Sequence, residues 1–296
     1  MNDTGTVAVL GAGGTMGLPM ARHMAKAGIE VRAWNRSREK AEPLADDGVE
    51  VLDTATEAAS GAKVILTILS DADAVKDTMQ GPEGALAGAG GDATWLQMST
   101  IGIEGTESCA ALAEEHGLAF VDAPVVGTKQ PAEQGKLTVL GSGPDQARGL
   151  CEPIFDAVAQ KSVWLGEAGA GTRMKLVINA WLVSLIEGLG ETIAFAEGID
   201  VDPAQFLETI SGGPIDNAYA QIKGKMMIDR SFEPAFKLSL AAKDAGIVLE
   251  AARRHHLELP MLEAIKNRLV QGAGDHGDAD MAATYLTSAP KQRTGR

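Results

Sequence analysis

An α/β fold, a doubly wound parallel sheet followed by an all-α C-terminal domain, is predicted by three observations. Short β-branched runs alternate with helical patterns through the first half of the 296-residue chain. One run, Val64-Ile65-Leu66-Thr67-Ile68-Leu69, is almost wholly apolar, as befits a parallel strand buried on both faces. Near Gly166 the alternation stops, and only helical patterns follow.

Val7-Ala8-Val9-Leu10 reads as the first strand and residues 16–26 as the first helix. Glu30-Val31-Arg32-Ala33-Trp34 is the second strand, with a helix over 37–46. Residues 64–69, 94–98 and 119–121 are further strands, and 104–115 is a helix between the last two. The runs at 137–140 and 162–165 complete the set. This rhythm predicts a doubly wound, Rossmann-like domain over 1–166. Helices are then expected at 172–197, 203–210, 236–255 and 260–269, forming a second domain over 167–296. Asp200-Val201-Asp202-Pro203 supplies a helix start with proline in the first turn. The residues after Pro290 are expected to fray.

The formal charge of −14 argues against nucleic acid or an anionic membrane as partner, because phosphate would be repelled. Two cysteines, Cys109 and Cys151, have neither metal spacing nor the density of a secreted scaffold, which points to a reducing compartment. No metal site is expected: the histidines are scattered, and His255-His256 are adjacent rather than at ligand spacing. The first residues lack a basic flank and an apolar signal core. The longest apolar stretch, 176–186, is broken by Asn179 and Ser184 and is too short to span a bilayer. A cytoplasmic protein is expected.

Gly11-Ala12-Gly13-Gly14-Thr15-Met16-Gly17 follows the first strand and opens the first helix. In that context a glycine-rich turn lets backbone amides meet a pyrophosphate at a helix N-terminus. A tight strand–helix turn that binds nothing would use the same residues. The spacing, G-x-G-x-x-x-G, is one residue longer than the usual fingerprint. At the end of the second strand an NAD site carries a carboxylate for the ribose hydroxyls. Here the chain reads Trp34-Asn35-Arg36-Ser37-Arg38, a guanidinium and a hydroxyl suited to a 2′-phosphate. NADP is therefore favoured over NAD; the alternative is a solvated arginine in a surface loop. Leu69-Ser70-Asp71 and Met98-Ser99-Thr100 end two other strands on the same side, where ligands gather or where Ser and Thr cap helices.

Asp122-Ala123-Pro124-Val125-Val126-Gly127-Thr128-Lys129 follows another strand. Proline stops the ladder there, and the amides of Gly127 and Thr128 could hold a small carboxylate, or simply make a turn. Gly169-Ala170-Gly171-Thr172-Arg173-Met174-Lys175-Leu176-Val177-Ile178-Asn179 puts an ammonium and a carboxamide one helical turn apart. The glycines leave room for something to approach the helix start. Among apolar neighbours, Lys175 either snorkels to water or faces a polar site.

Taken in order over nearly the whole chain, the glycine turn, Trp34-Asn35-Arg36-Ser37, Leu69-Ser70-Asp71, Met98-Ser99-Thr100, the Asp-Ala-Pro-Val loop, the Gly-x-Gly-x-x-x-Lys-x-x-x-Asn helix and Lys243-Asp244 resemble the β-hydroxyacid dehydrogenase family. The segment 127–137 is most similar to the glyoxylate and succinic semialdehyde reductase branch, with 3-hydroxyisobutyrate and tartronate semialdehyde dehydrogenases as neighbours. The resemblance implies that Lys175 is the general acid/base and that Asn179 holds substrate beside it. It implies substrate contacts at Ser99, Val126, Gly127 and Thr128. Cofactor contacts are implied at Gly11, Ala12, Gly13, Thr15, Met16, Asn35, Arg36, Ser37, Leu69, Ser70, Thr100 and Lys243. Asp244 is expected to partner nearby donors, and Glu187 and Glu191 to act between helices.

Two departures stand out. Val126 replaces the usual serine of the carboxylate cradle, and the glycine turn is longer. The expected activity is NADPH-dependent reduction of a small aldehyde or keto acid, with a homodimer or higher oligomer formed through the helical domain. Imine reduction and a non-catalytic dinucleotide-binding module are the rival readings; the lysine at 175 argues against both.

Overall fold

The β-branched runs become six parallel strands: β1 (Val7–Leu10), β2 (Val31–Trp34), β3 (Glu50–Val51), β4 (Val64–Thr67), β5 (Thr94–Gln97) and β6 (Ala119–Asp122). The computed structural model describes residues 4–289. The strand order β3-β2-β1-β4-β5-β6 makes β1 central, with Val7 in register with both Val31 and Val64. The strand order runs outward from β1 through β2 to β3 on one side and from β4 to β6 on the other, so the switch point, where the carboxyl ends of an open sheet form a ligand crevice, lies between β1 and β4.

Alternation explains why β1 and β4 read as continuous apolar runs. Val7, Val9, Val64 and Leu66 enter one core with Met20 and Met24. Ala8, Leu10 and Ile65 enter the other with Val75, Trp95 and Phe120. Both faces are covered, so no position can be polar without a partner; full burial of each larger side chain contributes about 1.5–3 kcal/mol. The covering helices are α1 (Gly17–Lys26), α2 (Ala55–Ala59), α3 (Ala72–Gln80) and α4 (Gly102–Glu115).

Two expectations are corrected in this half. Residues 37–46 do not form one α-helix but two 3₁₀ turns, Arg38–Lys40 and Glu42–Asp47. Pro43 has no N–H to give, which breaks α-helical bonding at that point. The runs at 137–140 and 162–165 do not extend the main sheet. They lie in β8 (Leu137–Gly141) and β9 (Ala159–Trp164), which with β7 (Val125–Val126) make a separate three-stranded sheet. β7 pairs antiparallel to β8, because Pro124 ends the β6 ladder and the chain turns back. A single bridge, Asp122 with Ser142, ties the end of β6 to the end of β8. α5 (Lys129–Glu133) and α6 (Asp145–Val158) complete this part.

The chain divides into two compact units, the first ending at Lys175 and the second beginning at Leu176. The division falls inside α7 (Ala170–Gly198), later than the junction expected at 166. The second unit continues with α8 (Pro203–Ile210), α9 (Ala218–Ile228), α10 (Leu238–Arg254), α11 (Pro260–His276) and a 3₁₀ turn over Met281–Thr287. Asp202 caps α8 by accepting the Ala204 N–H at 2.9 Å. Lys223 and Asp280 form a buried ion pair at 2.6 Å, and Asp280 also accepts the N–H groups of Ala235 and Phe236. Glu187 on α7 takes Arg268 and Thr284, as expected of an interhelical partner. Burial raises the Glu187 carboxyl pKa against the pull of those two donors.

α7 is longer than its apolar stretch suggested. At 29 residues, with mean hydropathy 1.4 over 18 of them, it has the length and composition to cross a bilayer, as core helices of soluble proteins also can. Its buried face nevertheless carries Asn179 and Glu187, each bonded to another part of the second unit. The tail after Pro290, expected to fray, lies outside the described residues.

Candidate active site

The glycine turn is shaped by close backbone approaches. Gly11 has φ +96°, and a Cβ there would lie 2.3 Å from the Ile68 carbonyl oxygen. A Cβ on Gly17 would lie 2.2 Å from the Gly11 oxygen, and one on Gly13 would strike Asn35 and Lys40. The three glycines therefore let the turn fold between β1, β4 and the end of β2. Gly11 and Ala12 donate to the Trp34 carbonyl, and Gly13 donates to Asn35 Oδ1 at 3.2 Å. Ala12 is buried, Met16 packs on the core, and Gly14 and Thr15 are exposed at the tip. No side chain caps α1. The Leu18 N–H donates to the Gly14 carbonyl and Pro19 has no N–H, so what the turn offers a pyrophosphate is its exposed tip at Gly14 and Thr15, at the positive end of α1.

Asn35 is a structural hinge pin as well as a crevice residue. While its Oδ1 holds Gly13, its Nδ2 donates to the Ser37 carbonyl at 2.8 Å. Arg38 is engaged by Glu42 at 3.0 Å and Asp53 at 2.7 Å, which raises its pKa. Arg36 is exposed beside them. No carboxylate stands between Trp34 and Arg38.

At the ends of β4 and β5 the serines divide in role. Ser99 is buried: its hydroxyl accepts from the Leu69 N–H at 2.8 Å and donates to the Thr67 carbonyl, and its backbone is clamped by Gln97. This geometry fastens two strand ends together through the Ser99 hydroxyl. Ser70 is exposed and donates to Asp71, which caps α3 through the Ala74 N–H. Thr100 follows, half-buried, before α4 begins.

Val126 sits on β7 opposite Thr138, on the half-buried face, while Val125 and Val139 face the core. Gly127 has φ +135°, and a Cβ there would press on Leu137 and Pro131. Only glycine makes this turn without strain. Thr128 then leads into α5.

Lys175 is half-buried and lies one turn into α7. The start of that helix is held by residues that sequence reasoning did not assign. Asp122, wholly buried at the end of β6, accepts from the Thr172 N–H at 2.7 Å and the Thr172 hydroxyl at 2.8 Å. Ser142 donates to Asp122 and accepts the Gly171 N–H at 2.9 Å, and Thr106 on α4 meets the Thr172 hydroxyl at 3.0 Å. Burial pushes the Asp122 carboxyl up to about 6, with the Thr172 and Ser142 bonds opposing it. A Cβ on Gly171 would fall 2.2 Å from the Leu140 oxygen, so what approaches the helix start is the chain's own strand backbone. The available signal was a strand-ending Asp before Pro, and a Thr just inside a glycine-led helix.

Asn179 and Lys243 belong to the second unit, where Asp244 joins them. Asn179 Nδ2 donates to Asp244 at 2.8 Å, and Lys243 Nζ lies 3.2 Å from the same carboxylate. A carboxylate can only accept, so the amide orientation is fixed. The Asn179 Oδ1 is buried with no hydrogen-bond partner among the described residues, an acceptor held ready. Asp244 thus partners nearby donors, as expected. Glu191 is exposed on α7. Among the described residues no group of three or more His, Cys, Asp or Glu is placed to hold a metal.

Comparison with known proteins covers both halves. The NAD binding domain of 6-phosphogluconate dehydrogenase matches residues 6–166, and the NAD-binding domain of NADP-dependent 3-hydroxyisobutyrate dehydrogenase matches residues 169–287. An uncharacterized oxidoreductase of Bacillus subtilis is 36% identical over 94% of this chain and 97% of its own. Glyoxylate/succinic semialdehyde reductase 2 of Arabidopsis thaliana is 29% identical over 100% of this chain and 82% of its own. The solved structure of Mycobacterium tuberculosis 3-hydroxyisobutyrate dehydrogenase with L-serine is similar at TM-score 0.85 and 27% identity, over 96% of this chain and 98% of that one. With both halves matched, the chain belongs to the β-hydroxyacid dehydrogenase family and is an NAD(P)-dependent oxidoreductase.

Proposed function

We propose that this protein is an NADPH-dependent reductase of small aldehyde or keto acids, such as glyoxylate or succinic semialdehyde, with Lys175 as general acid. The observation that carries this reading is the anchored start of α7, which holds Lys175 on a fixed turn beside the Asp122–Pro124 segment that leads to Val126, Gly127 and Thr128. When bound, a reduced nicotinamide supplies hydride. Lys175 stabilises the carbonyl oxygen as it gains charge and gives it a proton; in the oxidative direction the neutral amine takes that proton back. Asn179, with its amide oriented by Asp244, accepts from the hydroxyl of the alcohol product. Gly127 and Thr128 offer backbone N–H groups to the substrate carboxylate, and Ser99 positions strand ends.

The glycine turn, with Gly11, Ala12, Gly13, Thr15 and Met16, carries the pyrophosphate. Arg36 and Ser37 take the 2′-phosphate, because Arg38 is already engaged. Leu69, Ser70 and Thr100 line the crevice, and Lys243 is the cofactor contact that the family resemblance implies. Val126 favours a second acceptor, methylmalonate semialdehyde, whose methyl group suits an apolar side chain where a hydroxyl is usual; this is the 3-hydroxyisobutyrate dehydrogenase reaction. The buried, free Cys109 and Cys151 suit a reducing compartment such as the cytoplasm, and the exposed apolar face of α7 suits a homodimer or higher oligomer.

The test is a panel of NADPH and NADH against glyoxylate, succinic semialdehyde, methylmalonate semialdehyde, tartronate semialdehyde and cyclic imines. The highest kcat/KM is expected for NADPH with a semialdehyde or keto acid. Turnover of imines alone would sink the carbonyl reading.

A further inference from the structure

Three donors converge on one buried carboxylate at the point where the lysine-bearing helix begins. Asp122 receives the Thr172 N–H and hydroxyl and the Ser142 hydroxyl, all within 3.3 Å. Thr172 is three residues before Lys175, so the bonds hold the same helical turn that carries the ammonium. Packing adds to this: Gly171 touches the strand backbone at Leu140 and Asp122 with no room even for a methyl group. The helix start is therefore fixed in position by sterics and in rotation by hydrogen bonds.

We propose that Asp122 is a positioning residue for Lys175, acting as a carboxylate cap that sets the first turn of α7 through Thr172 and Ser142. This rests on the reading of Lys175 as proton donor. The ionised form is the one that fits, since all three partners donate to it. Protonation makes one oxygen a donor, so a hydroxyl that now donates to it must turn round and accept, and the network at the Thr172 turn rearranges.

Other groups around Asp122 do not replace it. On β5 its register partner is the buried, neutral Gln97, and just past the end of β8 it is Ser142. On α4 the Cys109 thiol, pushed up to about 11 chiefly by burial, stays neutral, and Glu107 pairs with Arg173 of α7 at 3.7 Å. Lys175 is the second cation on that turn.

The sign of the pH effect separates positioning from folding. Asp122 titrates near 6 in the folded chain, above the ordinary range for an aspartate, so its ionisation is disfavoured by folding. Lowering the pH through 6 therefore costs no stability on its account, while it weakens the cap. Turnover should fall on that limb with the fold intact.

The experiment compares wild type with Asp122→Asn, an isosteric change that leaves only one acceptor oxygen. It measures kcat and KM from pH 5 to 8 and hydrogen exchange along the chain. Asp122→Asn should lower kcat about tenfold or more, as for a misplaced catalytic group. KM should change little, the limb near pH 6 should vanish, and exchange should quicken at the start of α7 alone. Thr172→Val, which keeps the N–H but loses the hydroxyl, should lower kcat less, and Thr172→Ser should restore it. Retention of wild-type kcat or of the same acid limb by Asp122→Asn overturns the proposal. So does slow exchange at the α7 start in that variant. Full turnover by Lys175→Ala would instead remove the proton-donor reading, and with it the lysine as the group that Asp122 positions.

Discussion

Arg36 and Arg38 stand two residues apart and are used differently, which makes this pair a test of cofactor choice. Arg38 spends its guanidinium on Glu42 and Asp53, whereas Arg36 is exposed at the end of β2 next to the asparagine that pins the glycine turn. If Arg36 grips a 2′-phosphate, Arg36→Ala should weaken NADPH binding about tenfold or more, the scale of one charged hydrogen bond. NADH binding should stay within twofold. Fluorescence titration of the two nucleotides reads the difference, and equal losses would remove the 2′-phosphate argument. Lys175→Ala should lower kcat ~10²-fold or more, as for loss of a general acid, with NADPH titrating as in wild type. Lys175 stood out in the sequence because an ammonium in an apolar run needs a reason. Asp122 did not stand out, because its reason is non-local: its donors come from positions 142 and 172, and nothing near it in sequence hints at them. Ser99 shows the same non-local logic: it stands at a strand end, and its hydroxyl fastens the end of β5 to the end of β4.

At the scale of elements, the glycines of α7 show how spacing encodes packing. Gly171→Ala would put a methyl group 2.2 Å from a backbone oxygen, so either the helix or β8 must move. Overpacking of this kind costs about 1–3 kcal/mol, which thermal unfolding would record as a lower Tm. Gly246→Ala in α10 meets nothing within 4 Å and should raise Tm by the helix propensity of ~1 kcal/mol. The same substitution thus has opposite sign on two helices, and equal effects would contradict the packing described for Gly171. Elements set by local pattern were legible in the sequence: β1 and α8 fall where the apolar run and the Asp202-Pro203 start put them. Elements that exist because of a distant partner were not. β7 is two residues long and is a strand only because β8 pairs with it. α9 lacks a single apolar face, although Asn217 caps it through the Tyr219 and Ala220 N–H groups. The helix read over 37–46 failed at Pro43, where the missing N–H outweighs the apolar spacing.

For the molecule as a whole, the open question is what covers α7. Val177, Trp181 and Phe195 are 67%, 65% and 65% exposed. Val177 and Phe195 are 18 residues apart, five turns at 3.6 residues each, so they share a face, with Trp181 one turn along it. An aromatic side chain covers roughly 150–250 Å², and at ~25 cal/mol per Å² a Trp181 contact repeated by symmetry is worth several kcal/mol. Against this stands the net charge of −14, which makes two copies repel one another. Salt separates the two, since ions screen the charge repulsion and leave the apolar burial in place. Self-association through this face should therefore strengthen from low salt to about 0.15 M, a concentration that shortens the screening length to ~8 Å. Sedimentation velocity at micromolar concentration should show a dimer or larger species that tightens with salt. Trp181→Glu should shift it toward monomer while circular dichroism stays unchanged. A wild-type monomer at every salt concentration, or association that weakens as salt rises, would show that this stripe is not where copies meet.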